Sequence, residues 1–232
     1  MCNILYILDI LGVLNKGRKA LCVCVVDSDE LEVTFRVKGQ GRVRCTYYQG
    51  GSKKYKFVQM PADIITNPPA VLTITADANS SISLEGRVEN LDISTNGADP
   101  AIREVYLKHN SGIKTLYAYS NMIHKIAVEK CPKLQDLEIY DNWITELTID
   151  DWKAVTILDL SNNPLPDLDL SQAHAGIYVY LNQTQIAQSE ASQLAFVNTL
   201  PDIAAGTIEF QAPAYASVNL AASAKGWNIN YV

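Results

Sequence analysis

Apolar and polar positions alternate with period two from residue 31 to residue 59. Leu31, Val33, Phe35 and Val37 point one way, while Glu32, Thr34, Arg36 and Lys38 point the other. After Gly39-Gln-Gly41, Val43, Cys45 and Tyr47 alternate with Arg42, Arg44 and Thr46; after Gly50-Gly51-Ser52, Tyr55 and Phe57 alternate with Lys54, Lys56 and Val58. The pattern predicts a three-strand antiparallel meander with glycine hairpin turns and one apolar face. Its other face would gather Arg36, Lys38, Arg42, Arg44, Lys54 and Lys56. Gly39 and Gly41 are not a dinucleotide fingerprint, because the third glycine and a following helix are missing. Pro61 and Asn67-Pro-Pro69 punctuate a boundary near residues 60–70.

Beyond that boundary the period changes. The template apolar-x-x-apolar-x-apolar-x-x-Asn starts at Ile113, Leu134 and Val155, with a weakened copy at Gly176, so each step is 21 residues. A second half-repeat runs between the copies from Ile102, Ile123, Ile144 and Leu165, with the same step and a ninth position of Asn110, Cys131, Trp152 and Ala173. Weaker turns continue upstream through Val88–Ile93 and Val71–Ile74. The fourth and sixth positions share one side of a short strand. A single 21-residue coil cannot bury that side alone, so neighbouring coils must stack. Asn121, Asn142 and Asn163 fall in the turn, where an amide side chain satisfies backbone groups left open by the bend. Thr184 keeps an oxygen at that place.

The tail reads as a cap. Ser189 can start a helix ended by Pro201, followed by a strand at Thr207–Phe210, a short helix at about 216–225 stopped by Gly226, and a last strand from Trp227. At the other end, residues 1–21 contain an apolar run, Asn3–Leu14, with two readings. It is long enough for an export signal but lacks a preceding positive charge, and Ile4, Leu5, Leu8, Leu11 and Leu14 also suit a helix. The four expected parts are therefore 1–21, a meander at 22–69, a repeat region at 70–187 and a cap at 188–232.

Leu134-Gln-Asp-Leu-Glu-Ile-Tyr-Asp-Asn-Trp-Ile144 and Val155-Thr-Ile-Leu-Asp-Leu-Ser-Asn-Asn-Pro-Leu165 resemble leucine-rich repeats. The nested halves of 10 and 11 residues are similar to the short 21-residue bacterial class found in surface proteins of gut bacteria. The resemblance covers about residues 88–232. It implies a right-handed solenoid, mainly β with an α/β C-terminal cap, preceded by the meander. It also implies a location in the cell envelope or outside the cell, and a partner-binding role.

Composition narrows the function. The net charge of −6 divides into +5 over residues 1–60 and −11 over residues 61–232, which speaks against a chain-wide nucleic-acid binder. No apolar run reaches the length of a membrane span. The five cysteines contain no CxxC pair, and Cys22 and Cys24 would share one strand face. His109, His124 and His174 sit at unrelated repeat positions, and no nucleophile elbow, HExxH or P-loop occurs. Asp141, Asp150, Asp151, Asp159, Asp167 and Asp169 lack calcium-loop spacing and read as a solvated face. Trp143 and Trp152 read as packing residues. Neither a cofactor nor a metal is expected, nor an enzyme.

What remains is the outward side of the first half-repeat: Tyr117, Tyr119, Glu138, Tyr140, Asp159, Tyr178 and Tyr180. Tyrosine supplies contact area and a hydroxyl at low rotamer cost, which suits an interface, although it also suits strands in general. The expectation is a monomeric, non-enzymatic module that recognises a protein or glycan through these residues. A structural envelope spacer without a dedicated ligand is the alternative.

Overall fold

The computed structural model describes residues 21–26, 31–60, 68–95, 102–211 and 213–232. The expected export signal or helix falls on residues outside that set, apart from Leu21. The chain is mainly β, and among the described residues 14 strands join one sheet. Two ladders within it are parallel, and they carry the repeat.

The first ladder runs through β5 (Ser81–Asp92), β7 (Thr115–Tyr117), β9 (Asp136–Glu138), β11 (Ile157–Asp159) and β12 (Tyr178–Tyr180). From β7 to β12 its register advances by 21 residues at each step, as in Leu116↔Leu137↔Leu158↔Val179. The second ladder is β6 (Ile102–Lys108), β8 (Lys125–Glu129) and β10 (Glu146–Ile149), with Val105↔Ile126↔Leu147. β1 (Leu21–Val26) bridges them, antiparallel to both β5 and β6. The inward residues of both ladders belong to one buried cluster, which includes Leu116, Leu137, Leu158, Val105, Ile126 and Leu168. Leu165, Leu168 and Leu170 are buried as the half-repeat requires, yet they lie outside the strands of the second ladder.

The Asn column fixes this register. Asn142 Oδ1 accepts from the N–H of Ile123, 19 residues earlier, at 3.0 Å. Its Nδ2 donates to the carbonyls of Ile139 and Tyr140 in its own turn, and to Ala118 one coil back at 3.0 Å. Asn163 repeats the set with Ile144, Ile139, Leu160 and Ser161. Asn121 does the same with Ile102, Ile93, Ala118 and Tyr119. Thr184 bonds only locally, to Leu181 and Ala187. The residue before each of these four positions (Ser120, Asp141, Asn162, Gln183) has a positive φ of 52–59°.

The N-terminal strands differ from the expected meander. β2 runs unbroken from Leu31 to Gln49, so Gly39-Gln-Gly41 makes no hairpin. Its pairing with β5 slips there instead, because a Cβ on Gly39 would lie 1.9 Å from the Arg87 carbonyl oxygen. The missing side chain lets the two backbones touch and the strand bend. The bend is sharp enough that Leu31 pairs with Ala76 while the next residue, Asp77, donates to the Tyr48 carbonyl. β4 (Ala70–Ala76) is antiparallel to β2, so Val71–Ile74 is not an early turn of the repeat, and the sheet does not divide at residue 70. The change from antiparallel to parallel comes within β5: Ser81–Glu85 pair with β1, and Asn90–Asp92 pair with β7.

The face assigned to β3 (Ser52–Gln59) is also corrected. The turn is the two residues Gly50-Gly51, both at positive φ, which match the twist of a tight hairpin. Gln49 therefore pairs with Ser52, and Arg44 with Phe57. Tyr55 and Phe57 join Arg42 and Arg44 on the outward face, where they are 54% and 49% exposed. Lys54 and Lys56 fall on the other face, opposite Tyr47 and Cys45.

At the C-terminal end, Ser189 caps α1 (Glu190–Thr199) by accepting from the Ser192 N–H. β13 (Gly206–Phe210), α2 (Ala216–Ala224) and β14 (Trp227–Tyr231) follow. The two strands extend the first ladder, with Tyr178↔Thr207↔Asn228.

Two predictions test the register. Leu158 is fully buried and Thr156 is exposed. Leu158→Ala should cost about 2–5 kcal/mol, and Thr156→Ala no more than about 0.5 kcal/mol; equal urea midpoints for the two variants would contradict the alignment. Asn142→Ala should cost about 3 kcal/mol, since it strips buried backbone groups of their partners. Asn142→Asp should not restore the loss, because a carboxylate cannot donate to the three carbonyls; full stability in that variant would sink the hydrogen-bond account.

Candidate functional site

In-register pairing turns the outward positions of the first ladder into columns. One column reads Asp92, Tyr117, Glu138, Asp159, Tyr180, Glu209 and Asn230. Its neighbour reads Asn90, Thr115, Asp136, Ile157, Tyr178, Thr207 and Asn228. Adjacent members stand about 4.8 Å apart, the spacing of paired strands. Just past the strands, Tyr119 and Tyr140 stack with ring centroids 4.7 Å apart and planes 6° from parallel. Tyr178 and Tyr180, two residues apart, have ring centroids separated by 4.7 Å. The seven candidate residues are thus neighbours on one surface, half-buried against each other.

The electrostatics of that surface are one-sided. The Tyr117 hydroxyl donates to Asp136 Oδ2 at 3.2 Å, while Asp136 Oδ1 is buried without a donor. Asp159 accepts from the Ser161 N–H at 3.0 Å. Among the described residues, no Lys, Arg or His forms an ion pair with Asp136, Glu138 or Asp159. Burial raises the carboxyl of Asp136 above its ordinary value. Glu138 is raised by burial and then by the charges of Asp136, Asp159 and Asp92. Asp159 is raised by burial, then by Glu209 and Asp141, against the hydrogen bonds from Ser161. Burial and Asp136 push the Tyr117 phenol up to about 12. At the rim Asp92 has Arg36, at 3.4 Å, and Glu209 accepts from Asn182 Nδ2 at 2.8 Å.

The second ladder carries acids on the same scaffold and treats them differently. Glu104, Lys125 and Glu146 alternate in one column, and Lys108 faces Glu129 in another. Lys125 pairs with Glu146, Lys108 with Glu129 at 2.7 Å, and the Tyr106 hydroxyl donates to Glu104 at 2.6 Å. Like charges directly opposite one another destabilise a sheet. One ladder removes that penalty by alternation, and the other keeps it.

Trp143 is 65% exposed and Met122 37%, one coil apart in the turn beside the Tyr119–Tyr140 stack. Trp143 is therefore not the packing residue expected, whereas Trp152 is buried. The signal was present in the sequence: large apolar residues follow the turn Asn at 122 and 143, where a turn favours polar ones. His109 is exposed, and His124 lies 3.6 Å from Glu104. Among the described residues, no three His, Cys, Asp or Glu side chains are placed to hold a metal ion, and no helix is long and apolar enough to cross a membrane. Burial raises the Cys131 thiol to about 11, opposite to what a reactive thiolate needs. Comparison with protein-family models, with curated proteins and with solved structures found no match.

The raised carboxyls set a pH dependence. They hold protons more tightly in the folded chain than in the unfolded one. They therefore favour folding below the ordinary carboxyl pKa of about 4, and this contribution is lost as pH rises through their raised values. Glu146 and Asp169 shift downward and oppose this, but both are exposed to solvent. We expect the urea midpoint to fall as pH rises from about 4 toward neutrality, and Asp159→Asn to flatten that fall. A midpoint unchanged by Asp159→Asn at every pH would contradict the assignment.

Proposed function

We propose that this chain is a leucine-rich-repeat solenoid of the cell envelope or exterior, and that it works as a non-enzymatic binding module. Its binding face is the outward side of the first ladder. The 21-residue parallel register and the Asn column support the repeat assignment. The observation that carries the function is the contrast between the ladders: Asp136, Glu138 and Asp159 stand together without a cation on a scaffold that elsewhere alternates charge. Local rules are broken in this way where a site serves a partner.

The partner follows from the same chemistry. Carboxylates and an unpartnered carboxyl oxygen accept hydrogen bonds, and tyrosine rings attract cations through their faces. Glu138 and Asp159 are bracketed by Tyr117 and Tyr180 in one column. That arrangement suits a protein segment presenting Lys or Arg. Trp143, at the border, extends the contact area.

Titration with a Lys/Arg-rich peptide, followed by fluorescence and calorimetry, tests the reading. We expect binding that weakens with salt, and that is abolished when Tyr117, Tyr119, Tyr140 and Tyr180 are all replaced by Ser. Glu138→Gln with Asp159→Asn should weaken it by about 10-fold or more. Equal affinity for an acidic peptide, or no binding at all, would favour a spacer without a ligand.

A further inference from the structure

The outward face does not stop at β7. Through β5 it continues onto β2 and β3, because Asp92 pairs with Arg36, Asn90 with Lys38, and Glu85 with Arg44. Beyond them lie Arg42, with its guanidinium carbon 3.9 Å from the Phe57 ring centroid, and the exposed Tyr55 and Phe57. One continuous face thus passes from a cationic, aromatic end on β3 and β2 to an acidic, aromatic end on β9 and β11. Where the two ends meet, the chain already uses their complementarity: Arg36 pairs with Asp92 at 3.4 Å, and Arg44 with Glu85 at 2.6 Å. Lys38 and Arg42 form no ion pair among the described residues, and neither do Glu138 and Asp159.

A face with opposite charge at its two ends is complementary to itself under a two-fold rotation. With the axis near β5 and β7, Lys38 and Arg42 of one copy come over Glu138 and Asp159 of the other, and the same contact forms twice. β2 and β9 are three strands apart in the sheet, about 14 Å, so the two patches lie on one surface without reaching each other within a chain. Exposed aromatic rings and arginine are the side chains that dominate protein interfaces. An isologous contact of this kind closes at two copies.

We propose that the occupant of this face is a second copy of the chain, packed face to face about a two-fold axis. The proposal rests on the binding face described above and names its partner. It replaces the monomer expected from the sequence.

Sedimentation of the full chain over a concentration series, at about 0.05 and about 0.5 M NaCl, tests it. The mass should reach twice that of the monomer at low salt, rise no further, and fall back at high salt. Lys38→Glu with Arg42→Glu, and separately Glu138→Lys with Asp159→Lys, should each weaken association by at least about 10-fold. All four substitutions in one chain should restore it. Circular dichroism shows whether each variant keeps its fold; if one does not, Lys38→Gln and Glu138→Gln replace it. A monomeric wild-type chain, a mass growing beyond two copies, or no rescue by the fourfold variant would overturn the proposal. The Lys/Arg-rich peptide separates the two readings. Binding of the peptide by a chain that stays monomeric would sink only the dimer, whereas failure of both would sink the binding face itself.

Discussion

The structure depends on how the turns between strands satisfy their backbone groups. A bend leaves N–H and C=O groups without strand partners, and burying them unpaired would cost about 1–3 kcal/mol each. One amide side chain per coil meets that demand in two directions. Asn142 bonds carbonyls in its own turn and, at the same time, a carbonyl and an N–H of neighbouring segments. Because both directions must be met together, coils can stack only with the Asn residues in line. The 21-residue register follows, and with it every column of side chains on the surface. Serine or threonine could serve one direction but not both, and Thr184, where the repeat gives way to α1, shows this by bonding only within its own turn.

The same turns require a left-handed residue just before the Asn, and the chain supplies Ser120, Asp141, Asn162 and Gln183. None is glycine, although glycine adopts that conformation with the least strain. Their N–H groups continue the ladder: Ser120, Asp141 and Asn162 donate to Tyr140, Ser161 and Asn182 one coil ahead, at 2.8–3.2 Å. Stacking therefore over-determines the backbone at these positions, which is how a sparsely populated conformation persists. Glycine would relieve local strain but leave the unfolded chain freer, so the two effects offset each other.

Much of the repeat was legible in the sequence because an inward side chain has to recur at the same place in every coil. Leu116, Leu137, Leu158 and Val179 are identified by spacing alone, and all four are fully buried. The candidate tyrosines and carboxylates follow from the same count. What spacing could not give was pairing between segments far apart in sequence. Alternation in β2 is the same whether the strand turns at Gly39 or bends there, and only the approach of the Arg87 carbonyl decides. The face of Tyr55 and Phe57 hangs on whether the hairpin turn holds two residues or three, since a slip of one exchanges the sides. The bridging role of β1 had no local signal, because the strands it joins lie some 55 to 85 residues downstream. The pairing states of the acids were equally hidden: Asp159 and Glu146 occupy similar outward positions, and only the neighbouring column shows that one has a lysine and the other does not.

A parallel in-register sheet multiplies whatever its coils carry. A position that is acidic in one coil faces the same position in the next at strand spacing, so an acidic repeat position tends toward a line of like charges. Two remedies are available to such a fold, and both are present here. The second ladder alternates sign, and Lys125 and Glu146 neutralise each other. The first ladder interleaves tyrosine, which spaces the acids without neutralising them: Tyr117 precedes Glu138 and Asp159, and Tyr180 follows. Had stability alone shaped both ladders, lysine at one of these positions would have served as it does at Lys125. Tyrosine leaves the negative charge in place, limits its repulsion, and adds ring faces that a cation can approach. The carboxyls held above their ordinary values record the electrostatic cost that remains. A cation arriving from outside would remove that cost at the moment of contact. The unfavourable arrangement of the free face thus favours the bound state, because the ligand supplies the charge that the coils withhold.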